Sequence, residues 1–385
     1  MSVLRQRRLL IAGAAAWSLS TLFSAMKPVL ITRYGEELGT PAAWAALIAA
    51  VPFLGIALAS PLFGALRIRA PVRSLGIGVG GLLVLLELAS AAAFEHVALV
   101  IALQALAGLC CGLLMGATSR VIAVSPDAET AFGIVDMVAV ALMSAMIAGA
   151  GFAVQQSGLA GAYLFAAVTA ALLAGLIAQY PETPALRHHH DSSLPPLAIE
   201  ARALVVVLMG VAFVSFSGLG FAFMFTLALE HGLGYDSAGT RIGVLLLLSA
   251  SGCLAGGMAC ARFGPARPLA LAFITCGAGW WVAIHAGSSA AFFAGLVPAI
   301  FALQFCFPVL IALAGQLDAH GRWAAIATPA ITSGFAWAAI LAGLVAGRWG
   351  VPALATACAA GMTACLLMLW YVAPARRPAA PVQAL

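Results

Sequence analysis

The sequence predicts an all-α polytopic membrane protein of twelve transmembrane helices, arranged as two pseudo-symmetric six-helix bundles. Three observations lead there. Hydrophobic residues make up 64% of the 385 and charged residues 8%, against about 45–50% and about 25% in a soluble domain. So few charges cannot cover a water-exposed surface. The apolar residues also fall in blocks long enough to cross a ~30 Å hydrocarbon core, which takes about 20 residues of helix. Finally, short motifs recur at an offset close to half the chain length.

The spans follow in order, each ended by a turn or charge signal. Block 9–33 follows Arg5, Arg7 and Arg8. Its apolar run continues too far, without a clean small-residue cleavage site, for a removed signal peptide, and it reads as a retained first helix. EELGTP leads into 42–66, and RIRAPVR separates that block from 74–94. A weak break precedes 97–119; SPDAET precedes 131–154, and QQSG divides it from 160–180. The polar stretch YPETPALRHHHDSSLPPLAIEA covers 180–201. Then come 202–229, 238–260, 267–286, 290–314, 323–347 and 351–373, with EHGLGYDS, RFGPARP, AGSS and LDAHGR among the breaks. This gives a first bundle at 1–180, a central cytoplasmic loop at 181–201, a second bundle at 202–373 and a tail at 374–385.

Charge orients the spans. With the N-terminus inside, 14 cations fall on the cytoplasmic side, from Arg5 to Arg377, and only Arg33, Arg241 and Arg348 on the outer side. That is the positive-inside pattern with both termini cytoplasmic. The net charge of +5 is then loop charge that sets topology, and nucleic acid is not expected as a partner. All eight cysteines lie in apolar blocks and read as small hydrophobes rather than a disulfide or metal framework.

The repeat rests on three places. GALRIRAPVR from Gly64 parallels GGMACARFGPAR, in which Gly257 is the counterpart, and Arg69 pairs with Arg262 at an offset of 193. ELG at Gly39 parallels GLG at Gly234, an offset of 195, and Gly158 parallels Gly350, an offset of 192. An offset held near half the length argues for a six-plus-six duplication. At these residues the chain resembles the major facilitator superfamily, over essentially its whole length. That family's loop motif, Gly-x-x-x-Asp-Arg-x-Gly-Arg-Arg, is matched by Gly64, Arg69 and Arg73, with Ile68 in place of the Asp. Its echo is matched by Gly257, Arg262 and Gly264, with Ala261 at the acidic position. LDAHGRWAAI and PET add to the likeness. The resemblance implies alternating access about a central site between the bundles, with the loop motif as a gating element. It also implies that helices 1, 4, 7 and 10 line the cavity. Where many proton-coupled exporters of the family carry an Arg four residues before a Gly in helix 4, this chain has Gln104 ahead of Gly108.

Ionisable groups inside a membrane mark function, because each costs roughly 2.5–3.5 kcal/mol to insert. Three stand out: Lys27, Glu87 and Asp136. Lys27, the one lysine of the chain, shares a helical stripe with Trp17, Ser20 and Ser24. It either meets an anionic substrate group or snorkels to the head-groups. Glu87 lies at similar depth by residue count, and a buried Lys27–Glu87 pair is one of its readings. Asp136 heads a face continuing through Val140, Met143 and Ile147; it is either a coupling carboxylate or a structural partner of Arg120. Gln104 on helix 4, Phe216 and Phe223 on helix 7, and Gln304 on helix 10 complete the candidate substrate-binding or coupling set. Their aromatic share points to a substrate with an apolar or ring portion, or to ordinary packing. His188–His190 either binds a metal weakly or is a solvated loop.

The leading expectation is a secondary transporter of a small organic molecule, exported by proton antiport in the manner of small bacterial efflux permeases. It would sit as a monomer among the lipids of the bacterial inner (plasma) membrane, with protons as coupling ion and no cofactor. The alternative is proton-coupled uptake of an organic anion, with Lys27 as counter-charge. A polytopic membrane enzyme is disfavoured, since no loop carries a cluster of nucleophile, base and metal ligands. No Gly-x-x-x-x-Gly-Lys-Ser/Thr loop is present to drive transport by ATP.

Overall fold

Apolar segments in hydrocarbon must satisfy their backbone groups internally, so each block folds as a helix. A computed structural model describes residues 3–22, 30, 33–34, 37–39, 42–66, 71–123, 128–179, 201–233, 235–317 and 322–372. Lys27, Ser24, Arg69 and His188–His190 lie outside the described residues.

The helices are α1 Val3–Ser20, α2 Ala42–Leu66, α3 Val72–Ala92 and α4 Val97–Ala123. The run Ala128–Ile177 is divided at Ser157 and Gly158, where the backbone leaves helical geometry, into α5 and α6. Next come α7 Ala201–Glu230, α8 Tyr235–Phe263, α9 Ala266–Ile284 and α10 Ser289–Gly315. Helices Arg322–Thr332 and Gly334–Trp349 meet at Ser333 in one span, α11, and α12 is Ala353–Val372. Among the described residues nine helices are long and apolar enough to cross a membrane. Shorter apolar helices stand at Leu10–Ser20, Ala50–Ala59 and Thr130–Met146, in the places of spans 1, 2 and 5. The exterior is apolar, as lipid requires: Leu85, Leu172, Leu248 and Leu271 are exposed.

Two turns account for one of the glycine pairs matched in the repeat. Gly158 has φ +60 and Gly350 φ +82, a region that side chains with a Cβ rarely enter. At the first turn the backbone N–H of Leu159 donates to Glu37 Oε2 at 2.9 Å, so a carboxylate from the segment before α2 caps the start of α6.

The start of α7 and the end of α12 meet, since the Arg202 guanidinium donates to the carbonyl of Val372. Alternation of twelve helices puts the start of α1 on that side too, called here the terminal face. Close packing without a hydrophobic driving force needs small residues. A Cβ on Gly108 of α4 would overlap the Pro52 backbone of α2. Six helices later, Gly252 and Gly256 of α8 face the backbone of Phe301 and Phe305 of α10 in the same way.

The first six helices join the last six chiefly through α5 on α8 and through α2 and α4 on α11. A Cβ on Gly133 of α5 would stand 2.6 Å from the Cys253 carbonyl of α8. At the terminal end, a Cβ on Gly315 of α10 would stand 2.8 Å from the Ala123 Cβ of α4. The Thr332 hydroxyl of α11 reaches Met115 Sδ of α4 at 3.3 Å. Each of these contacts lies between the terminal face and mid-span.

Candidate functional site

Asp136 lies two turns into α5, about 12 Å along the helix from its start, and is 5% exposed. Its face, with Met137, Val140 and Met143, packs against Ala250 and Cys253 of α8. The carboxylate has two donors. The indole N–H of Trp17 on α1 reaches Oδ1 at 2.8 Å, and the Cys253 thiol reaches Oδ2 at 3.3 Å. One partner comes from the first six helices and the other from the last six. Buried polar groups persist only when bonded, and here each carboxylate oxygen holds one donor.

Trp17 also belongs to a packed, largely buried cluster of aromatic rings, called here the aromatic chamber. Its ring packs on Phe132 of α5 at 6.1 Å and on Phe307 of α10 at 6.4 Å. Phe307 packs on Phe335 of α11 at 6.5 Å. Phe335 in turn meets Phe53 of α2 at 6.1 Å and Phe221 of α7 at 6.5 Å. Six helices thus meet through rings, most in edge or tilted geometries that aromatic quadrupoles favour. Ser20 lies one turn beyond Trp17, buried, its hydroxyl donating to the Ala16 carbonyl at 2.8 Å. Gln304 is buried one turn from Phe307 on the same face of α10.

A second polar cluster sits toward the opposite face. Gln104 Nε2 donates to Glu87 Oε1 at 3.2 Å, to Oε2 at 3.4 Å and to Ser90 Oγ at 3.2 Å. Glu87, Ser90 and Gln104 are all buried. These groups belong to α3 and α4, so no movement between the two sets of helices separates them. Nearby on the chain's first half, the hydroxyls of Tyr34 and Tyr163 bond at 2.9 Å.

The structure therefore gathers Asp136 with Trp17, and Glu87 with Gln104, as two separate clusters. Phe216 turns toward α12, where a Cβ on Gly361 would overlap its ring, and the Cys358 thiol donates to its carbonyl at 3.0 Å. Phe223 is partly buried on the same helix. Of the gating-loop residues, Gly64 lies in the last turn of α2, Arg73 is exposed at the start of α3, and Gly257 is buried in α8. Arg262 is exposed with its guanidinium over the Phe263 ring at 5.4 Å. Gly264 ends α8 at φ +73, its N–H donating to the Cys260 carbonyl at 2.9 Å, a helix-ending turn that suits glycine.

Sequence reasoning missed Cys253, Ser90, Phe53, Phe221, Phe307 and Phe335. A cysteine or phenylalanine in an apolar block looks the same whether it faces lipid, packing or site, so no local signal marks them. Among the described residues no His, Cys, Asp and Glu group of three or more is placed to hold a metal ion.

No curated protein matches the chain in sequence. Among solved structures it resembles the E. coli fucose:proton symporter FucP, with 15% identity and a TM-score of 0.70 over 95% of this chain and 98% of that one. It resembles the proton:xylose symporter XylE bound to 6-bromo-6-deoxy-D-glucose, with 15% identity and a TM-score of 0.75 over 96% and 95%. It likewise resembles the human organic anion transporter MFSD10 (TETRAN), with 16% identity and a TM-score of 0.75 over 94% and 99%. At such identities the likeness is one of fold. The sequence signature of the Major Facilitator Superfamily matches residues 8–317. With that signature over well more than half its length and a multi-pass helical fold to match, the chain belongs to the major facilitator superfamily and is a transporter, not an enzyme.

Proposed function

We propose that the chain is a proton-coupled secondary transporter that exports a small, largely apolar, ring-bearing organic molecule. The observation that carries this is Trp17. Its N–H binds the Asp136 carboxylate while its ring packs on Phe307 in the aromatic chamber. A molecule stacked in the chamber touches the same indole that senses whether Asp136 is ionised. A carboxylate accepts from both Trp17 and Cys253; a carboxylic acid becomes a donor at one oxygen and can no longer accept both in the same way. Cargo and proton thereby bias one equilibrium, which is the requirement for coupling.

The 1–180 and 202–373 bundles rock about this centre, with the terminal face shut in the present arrangement and both termini in the cytoplasm of a bacterial inner membrane. Glu87 is not the coupling group in this reading, because its partners Gln104 and Ser90 stay with it on rocking. The chamber's chemistry also separates this cargo from the sugars named for FucP and XylE. A sugar hydroxyl buried without a partner loses roughly 1–3 kcal/mol, and the rings of Phe53, Phe221, Phe307 and Phe335 offer none. Lys27 supports the second reading, uptake of an organic anion, and the organic anion transporter MFSD10 shares the fold.

The test is tolerance of an exporter-deficient bacterial host to a panel of aromatic amphiphiles. The chain is expected to raise tolerance to at least one compound about fourfold or more, and Asp136→Asn to abolish the gain, as loss of a coupled group demands. Equal protection by Asp136→Asn sinks proton coupling through Asp136. Compound accumulation that rises on expression favours the uptake reading, and there Lys27→Ala should remove it.

A further inference from the structure

Alternating access needs a contact that exists in one state and not in the other. The α5–α8 seam holds a polar contact between the first six helices and the last six. Cys253 donates to Asp136 Oδ2 at 3.3 Å, while its own backbone carbonyl lies against Gly133 of α5, where a Cβ would stand 2.6 Å away. The glycine lets the two helices approach closely enough for the thiol to reach. Around the pair the seam is apolar, formed by Val140 and Ala250 with Met137 and Met143. We propose that Cys253 is a positioning residue that reads the charge of Asp136 across the seam: ionised Asp136 holds the thiol and keeps the terminal face shut, and neutral Asp136 releases it and lets the face open. This deepens the proposed function and rests on its reading of Asp136 as the ionisable centre.

The neighbours of the carboxylate support that division of labour. From α8 comes the thiol, and from α1 the indole of Trp17. α10, the other helix of the second set packed on α5, presents Phe307 to that indole. α4 carries Arg120 within a turn of its terminal end. Trp17 moves with α5 when the bundles rock, because both belong to the first six helices. Cys253 does not. A proton arriving from water converts one carboxylate oxygen from a charged acceptor to an O–H donor, and a bond donated to that oxygen loses its ionic strength. The bond that crosses the seam is the one that yields.

The experiment follows the eight native cysteines, all buried, in the full chain in detergent micelles. N-ethylmaleimide is added at about pH 7, where accessible thiols react through their thiolate, and labelling is resolved residue by residue by peptide mass spectrometry. Asp136→Asn, isosteric and uncharged, is expected to raise labelling of Cys253 about tenfold, the size of one lost charge-assisted bond. Cys110, Cys276, Cys306, Cys358 and Cys365 should stay within about twofold, as residues away from the seam do. Two results overturn the proposal: no rise at Cys253 in Asp136→Asn, or an equal rise at all the thiols. The reading of Asp136 as a proton site fails separately. That failure would show as equal proton uptake by the native chain and Asp136→Asn on acidification, whatever the labelling shows.

Discussion

The Gln104 amide is shared among three acceptors, two on Glu87 and one on Ser90, and all three residues are buried. Removing one member of such a set costs more than removing both, since the survivor keeps its desolvation penalty and loses its partner. Gln104→Met is therefore expected to destabilise the chain by about 1–3 kcal/mol, seen as a lower melting temperature in detergent. Adding Glu87→Met should recover most of that loss, because two apolar groups of similar length then face each other. Recovery of nothing in the double variant shows that Glu87 leans on some further partner, and Lys27 becomes the first to examine. The sequence flagged Glu87 and Gln104 separately but did not pair them. Their contact depends on how α3 and α4 are rotated about their axes, and rotation is set by neighbours rather than by local pattern. The same holds for Asp136. The carboxylate was legible as an expensive residue in a span, and Trp17 as part of a polar stripe, but the bond between them joins positions 119 apart in sequence. Cys253 carried no signal at all, being one of eight cysteines in apolar blocks.

Elements were the most legible scale, because the length of an apolar block is fixed by bilayer thickness and not by tertiary choice. Span 131–154 and span 160–180 were separated in the sequence by QQSG alone. The chain turns there, at Ser157 and Gly158, though the helical hydrogen bonding runs almost without pause. Gly158 is the residue that makes the turn. A Cβ there meets both a φ of +60 and the Glu37 carboxylate that caps α6. Gly158→Ala should cost about 1–3 kcal/mol and loosen the hold of Glu37 on Leu159. Gly78 provides the contrast: it lies within α3 and a Cβ there meets nothing within 4 Å. Gly78→Ala should therefore be neutral or stabilise by up to about 1 kcal/mol, from helix propensity alone. Thermal unfolding of the two variants side by side checks both. A loss at Gly78 as large as at Gly158 would mean that lipid or another chain occupies the open face of α3. The break in α11 at Ser333 is a further element-scale feature that hydropathy did not show, since the block 323–347 is continuous in composition.

On the scale of the whole molecule, two helix pairs six helices apart in the chain each pack together through glycine. α2 packs on α4 through Gly108, and α8 packs on α10 through Gly252 and Gly256; α5 on α8 and α2 on α11 are the matching seams between the two sets. If the sets move as bodies, a wedge in a seam and a wedge inside a set must act differently. Gly133→Val places bulk against the Cys253 carbonyl in the α5–α8 seam. Gly295→Val places it against Gly279 and Ala283, wholly within the last six helices. Packing that is bistable rather than continuously deformable relieves the first strain by switching to the arrangement in which the seam is parted. The second strain has no such exit and must appear as lost stability. Spin labels at Ser74 on α3 and Phe263 on α8, both exposed near the terminal face, report the separation of the two sets there. Gly133→Val should shift their distance distribution to longer values with a small change in melting temperature. Gly295→Val should lower the melting temperature by the equivalent of about 1–3 kcal/mol and leave the distance where it was. Were the two wedges to behave alike, the twelve helices would be one packed body, and transport would require an opening other than at the α5–α8 seam.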